Sequence, residues 1–202
     1  MQLKDEDRRV RGSATGALGR IGDARAAEPL LVQLEDQSWQ VRASAAWALA
    51  RIGDARAVGR LLVRLEDEHW LVRSNAAFAL GRIGSEYAVE GLVAATEDEH
   101  ERVRASAASA LGRIGDMRAL EALLAMLEDQ HESVRTSAVW ALGKLGDPQV
   151  LETLLPRLKG EVWLVRGKAY EALVTILNRN ALPPEPERVV CEPPTIPGPW
   201  DH

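Results

Sequence analysis

The sequence predicts an all-α fold: an α-solenoid of stacked helix pairs wound into a right-handed superhelix. Three observations predict it. The dipeptide Val-Arg recurs at Val10-Arg11, Val41-Arg42, Val72-Arg73, Val103-Arg104, Val134-Arg135 and Val165-Arg166, always 31 residues apart. Each interval holds two amphipathic helical patterns. A glycine closes the second pattern at Gly22, Gly53, Gly84, Gly115 and Gly146. One 31-residue unit cannot bury its own apolar face, whereas stacked units bury a continuous one.

The first helix of a unit carries apolar residues at i, i+3, i+4 and i+7. Examples are Ala27, Leu30, Leu31 and Leu34, and then Leu120, Leu123, Leu124 and Leu127. That spacing is one face of an amphipathic helix about three turns long. The second helix runs from just before Val-Arg to the glycine, with Val41, Ala45, Ala48, Leu49 and Ile52 as the stripe of one copy. Small residues on the stripe allow close approach between neighbours, and the glycine stands where a left-handed stop belongs. Acidic pairs such as Glu35-Asp36 and Glu66-Asp67 fall on short turns between helices. The expected order is one helix at about residues 8–21 followed by five pairs.

The chain has 202 residues, a net charge of −5 and a single cysteine, Cys191. The cysteine count excludes an internal disulfide framework and a thiolate zinc cage. The charged start lacks the apolar core of a secretory signal, and no stretch reaches the roughly 18 apolar residues of a membrane span. A cytoplasmic location is expected, with neither membrane nor nucleic acid as partner. The repeat solenoid is expected over 1–181, about five and a half units. Residues 182–202 hold seven prolines and read as an extended tail or linker, with Cys191 incidental to function. Gln2-Leu3 aligns on Gln33-Leu34, which favours a chain that is a piece of a longer protein.

From Val103 to Ala119 the motif Val-Arg-x-x-Ala-Ala-x-Ala-Leu-Gly-x-Ile-Gly-Asp-x-Arg-Ala is nearly intact. It resembles the short HEAT-like repeats named after phycobilisome (PBS) lyases, over roughly residues 2–177. The resemblance is specific for fold and unspecific for activity. That family includes pigment lyase subunits, a di-iron hydroxylase, chaperone-like scaffolds and repeat domains of larger enzymes. It implies that the second helices line a concave surface where partners bind.

On a helical wheel, Trp39 and Trp47 lie about 135–145° from the centre of their stripe. Their repeat positions carry Trp70 and Phe78, Glu101 and Ser109, Glu132 and Trp140, then Trp163 and Glu171. Six of the nine aromatic residues thus fall on two columns facing away from the core. Such a patch marks an interaction surface, and tryptophan is favoured at binding hot spots. Arg20, Arg51, Arg82, Arg113 and Lys144 share another column, about 40° from Trp47. A groove of Trp and Arg suits an acidic segment of another protein that carries apolar anchors. The expected contact residues are Trp39, Trp47, Arg51, Trp70, Phe78, Arg82, Arg113, Trp140 and Lys144. The motif arginines Arg42, Arg73, Arg104 and Arg135 read as structural. They are expected to pair with the recurrent Asp23, Asp54, Asp116 and Asp147 in a ladder between repeats.

No catalytic residue, metal or cofactor is expected. His69, His100 and His131 share one repeat position, but stacked helices lie about 8–10 Å apart, too far for three such side chains to share one ion. They read as turn residues before a helix. The related hydroxylase places His-Glu dyads just after the motif's apolar-basic pair. Here those positions hold Ala43-Ser44, Ser74-Asn75, Ala105-Ser106 and Thr136-Ser137, while His100-Glu101 and His131-Glu132 precede it. The expected function is a non-catalytic protein-interaction scaffold. The alternative is a bilin lyase or chaperone-like subunit, with Trp and Arg holding a linear tetrapyrrole.

Overall fold

A computed structural model describes residues 2–155 and 163–180. A 3-10 turn at Gln2–Lys4 is followed by eleven α-helices among the described residues. They are α1 (Arg8–Ile21), α2 (Ala27–Gln33), α3 (Trp39–Ile52), α4 (Val58–Arg64), α5 (Trp70–Ile83), α6 (Val89–Ala94), α7 (Glu101–Ile114), α8 (Leu120–Ala125), α9 (Glu132–Leu145), α10 (Val150–Leu154) and α11 (Trp163–Asn180). The expected tail at 182–202 and the side chain of Trp163 lie outside the described residues.

The odd-numbered helices up to α9 are each 14 residues long and repeat one design. Each of these five ends on a left-handed glycine; Gly53, at φ 74°, donates its N–H to the Leu49 carbonyl. A side chain at that φ would be strained, so glycine ends the helix with least cost. The short helices are shorter than the sequence predicts: α2, α4, α6, α8 and α10 hold five to seven residues. The reason is a 3-10 turn in front of most of them, as at Ala24–Ala26 and Ala55–Ala57, where Asp23 and Asp54 accept the N–H two residues on. Such tight turns are common at helix ends.

Long helices stack on one another in order, α1 on α3, α3 on α5, and so on to α9 on α11, and their backbones approach along much of their length. Backbones of successive short helices approach far less. The long helices thus form one closely packed layer and the short helices a looser one. The close spacing has a local cause. A Cβ at Gly19, Gly81, Gly112 or Gly143 would lie 2.5–2.8 Å from Ala48, Ala110, Ala141 or Ala172 of the next helix. Between the layers runs one apolar core, with Leu30, Leu49, Leu61, Leu80, Leu92, Leu111, Leu123 and Leu142 fully buried. The buried face of α3 is wider than its predicted stripe, taking in Ala43, Ala46 and Ala50, because an inner helix packs on two neighbours.

The ladder between repeats exists, with a different aspartate from the expected one. Arg42 grips Asp67 with two hydrogen bonds, Nε to Oδ2 at 2.7 Å and Nη2 to Oδ1 at 2.9 Å. Arg11–Asp36, Arg73–Asp98 and Arg104–Asp129 repeat this fork. These aspartates belong to the acidic turns. The aspartates expected in the ladder act locally: Asp23, Asp54 and Asp116 pair with Arg25, Arg56 and Arg118 two residues on. Asp147 accepts the Gln149 N–H. The turn aspartate wins because the guanidinium of one long helix lies beside the turn that introduces the next.

Candidate functional site: the inner face of the long helices

Two edges frame the face of the long helices that looks away from the core. At the amino-terminal edge, the histidines are helix caps. His69 Nδ1 accepts the Leu71 N–H and His100 Nδ1 accepts the Arg102 N–H, both at 3.2 Å. Trp39 stacks on His69 with ring centroids 3.7 Å apart, and Trp70 stacks on His100 at 4.2 Å. His69 and Trp70 also stack, at 5.8 Å, so four rings continue across three repeats. Arg102 lies over Trp70 at 5.5 Å. Trp39 and Trp70 are thus half-buried rings that tie adjacent turns together, and one side of Trp39 still lines a groove.

At the carboxyl-terminal edge stand Arg20, Arg51, Arg82, Arg113 and Lys144, all exposed. Helix carbonyl ends favour cations there. Arg51 donates to the Gly19 carbonyl at 3.1 Å and covers Trp47 at 5.5 Å. Arg113 and Lys144 both lie over Trp140, at 5.8 and 5.6 Å. Among the described residues, none of these five cations is ion-paired with a carboxylate. The chain is net acidic, yet this edge is positive. The turn aspartates Asp36, Asp67, Asp98 and Asp129 are drawn into the ladder, away from this edge.

The mid-helix column reads Gly16, Trp47, Phe78, Ser109, Trp140 and Glu171. Trp47 and Trp140 are half-buried and lean onto the preceding helix. Their Cζ3 atoms lie 3.1 and 3.0 Å from the points a Cβ would take at Gly19 and Gly112. Phe78 is 36% exposed. Trp47 and Trp140 therefore line the groove wall and also touch the core, rather than standing free of it as the wheel suggests, whereas Phe78 is the more open ring.

Several hollows open along this face among the described residues. One of about 770 Å³ lies over α1, α3 and α5 and is lined by Gly12, Gly16, Trp39, Ala43, Trp47 and Leu71, with Arg8, Arg9 and Arg20 at its rim. A second of about 250 Å³ lies among Phe78, Ala105, Ser109, Arg113 and Ser137. A third of about 600 Å³ at the carboxyl-terminal edge gathers Arg82, Arg113, Trp140, Lys144 and Arg179. Of the expected contact residues, the structure brings Trp39 to Trp47, Phe78 to Arg113, and Arg82 to Trp140 and Lys144. Trp70 lines none of these three hollows. Sequence reasoning missed Gly12, Gly16, Leu71, Asn75 and Arg179. Gly16 could have been found by carrying the Trp47 column back one repeat.

The HEAT-repeat profile matches residues 27–109 and 89–174. The chain belongs to the HEAT-repeat family. A PBS lyase HEAT-like repeat also matches residues 10–36. Among solved structures this HEAT-repeat chain is similar to the complex of CpcE and CpcF of phycocyanin lyase from Nostoc sp. PCC7120, at 23% identity and TM-score 0.69 over 89% of this chain and 85% of that one. It is similar to a designed armadillo repeat protein in complex with the peptide (KR)4, at 23% identity and TM-score 0.67, covering 87% and 96%. Human deoxyhypusine hydroxylase in complex with glycerol is 23% identical with TM-score 0.53, covering 87% and 82%. At this identity the likeness is one of fold. No curated protein matches the sequence. Among the described residues no helix is long and apolar enough to cross a membrane.

Proposed function

We propose that this HEAT-repeat chain is a cytoplasmic, non-catalytic scaffold that holds a segment of another protein along the inner face of its long helices. The segment is acidic and carries apolar side chains. One observation carries the reading: five exposed, carboxylate-free cations run beside an aromatic column and open hollows on that face. Charge complementarity steers an acidic segment there, and aromatic rings give it apolar surface to dock on. The designed armadillo neighbour carries a basic peptide, (KR)4. The present groove is itself edged by cations, which suits an acidic segment rather than a basic one. The contact residues are Trp39, Trp47, Arg51, Phe78, Arg82, Arg113, Trp140 and Lys144, with Trp70 as edge packing that presents Arg102.

The test compares a Glu-rich peptide bearing Trp and Leu with (KR)4, by fluorescence anisotropy. The acidic peptide should bind and lose affinity as salt rises, while (KR)4 should not bind. Replacing Trp47, Phe78 and Trp140 together by Ala should weaken binding. A large loss of thermal stability with unchanged binding would make these rings packing residues and end the reading.

A second reading is favoured by the PBS lyase repeat at residues 10–36: a subunit of a bilin lyase or a chaperone-like relative. There Trp47 and Trp140 would face the pyrrole rings and the arginines the propionates. A linear tetrapyrrole added to the protein should then shift its absorbance; an unchanged spectrum removes this reading.

A further inference from the structure

The aromatic column has two gaps, and each gap is a hollow. At Gly16 the column lacks a side chain, and the 770 Å³ hollow opens beside it; at Ser109 the side chain is small, and the 250 Å³ hollow lies between Phe78 and the next repeat. Packing does not demand the first gap. A Cβ on Gly16 would meet only the end of Arg20, at 3.7 Å, and the backbone there is ordinary helix. The contrast is with Gly19, one turn later on α1, where a Cβ would come within 2.6 Å of Ala48. Gly16 sits in the middle of a helix, where glycine is disfavoured, and in an open place that an alanine would fit. What the glycine gives in return is room against the indole of Trp47.

Resting on the scaffold reading, we infer that the partner is an extended, acidic protein segment whose two apolar side chains complete the column, a large one at Gly16 and a smaller one at Ser109. The two gaps are three 31-residue units apart. At roughly 8–10 Å per stacked helix the separation is about 27 Å, which an extended chain spans in about eight residues. Between the two anchors run Arg51 and Arg82, with Arg113 beside the second. The residues between the anchors are therefore acidic. The larger hollow, walled by Trp39, Trp47 and Leu71, takes an aromatic ring; the smaller, floored by Ala105 and Ala110 under Phe78, takes a Leu or Ile.

The experiment uses the whole chain and fluorescein-labelled peptides of alternating Glu and Ser. Each carries one Trp and one Leu, in both orders, set roughly four, eight or twelve residues apart. In one of the two orders the spacing near eight should bind about tenfold tighter than the other two. Gly16→Trp and Ser109→Trp, which fill the gaps, should each weaken that peptide to the level of the wrongly spaced ones, while Val63→Trp, on the exposed side of short helix α4, should leave it unchanged. Circular dichroism confirms that each variant folds, and the spacing series needs no variant. Equal binding at all spacings, or full binding by the filled variants, overturns the two-anchor inference. If such spacing-blind binding is still lost in an Arg82→Glu, Arg113→Glu variant, the scaffold reading stands alone. Binding insensitive to that charge reversal, or no binding by any peptide, overturns both.

Discussion

Arg42 joins three pieces of chain with one side chain. Its guanidinium donates to the Asp36 and Gln37 carbonyls of its own turn and forks onto Asp67 of the next. The pair is nearly dry, with side-chain exposures of 8% for Arg42 and 2% for Asp67. Removing one partner of a buried pair leaves the other charge stranded, which costs about 3 kcal/mol. Arg42→Ala should therefore lower stability by about that amount in urea titration, and an exposed pair such as Arg118–Glu90 should matter far less. The ladder also sets the acid response. Burial pushes the Asp67 carboxyl up, but hydrogen bonds from Arg42 and the His69 N–H, with the charges of Arg42 and Arg64, hold it below the ordinary carboxylate range. Asp36 and Asp129 are lowered by the same balance. Asp23, paired with Arg25, is held at about 2. The folded chain thus releases these protons more readily than the unfolded chain. The stability they add is present above about pH 4 and is lost as pH falls through the folded values. Melting temperature should be flat from pH 7 to about 5 and fall below about 4, and Asp67→Asn should flatten that fall.

Among the elements, two glycines on long helices make opposite predictions. Gly112 is pressed against α9, where a Cβ would lie 2.6 Å from the Ala141 Cα. Gly112→Ala must push α7 and α9 apart and should destabilise by about 1 kcal/mol, at the low end for overpacking. The low end is apt because Ala50 already occupies this column between α3 and α5. Gly16→Ala meets open space and should stabilise by about 0.5–1 kcal/mol through helix propensity and lost unfolded-state freedom. Thermal unfolding of the two variants side by side checks both signs. An increase in stability for Gly112→Ala would show that the helices are less tightly spaced than the structure has them.

Among the described residues the molecule is a one-dimensional stack in which each long helix packs on the next; the core continues through all the repeats, the ladder from Arg11 to Asp129 and the ring stack from Trp39 to His100. Small residues let the long helices approach closely, and leucines fill the space between the layers. The same arrangement separates charge: acidic residues are drawn into turns that face the next repeat, and the helix-end cations are left on the inner edge. Association with an acidic segment should therefore be strongly salt-dependent, although the protein itself is net acidic. Affinity measured between low and physiological salt checks this; a flat response would make the groove purely apolar.

The 31-residue period, the helix pairs, the glycine stops and the family were all legible in the sequence, because repetition multiplies weak local signals until chance is excluded. So was the column of aromatics, since a helical wheel needs only the angle between residues. The ladder partner was not. Two aspartate columns, one through Asp54 and one through Asp67, recur with the same period, and periodicity cannot choose between them. Only the placement of the turn beside the guanidinium chooses Asp67. Nor could the sequence show that Trp39 stacks on His69, or that Trp47 lies along the wall of a hollow opened by Gly16. Sequence alone determined which residues repeat. The tertiary structure decided which repeated residues meet, because contacts between units depend on the pitch of the stack, which no single repeat contains.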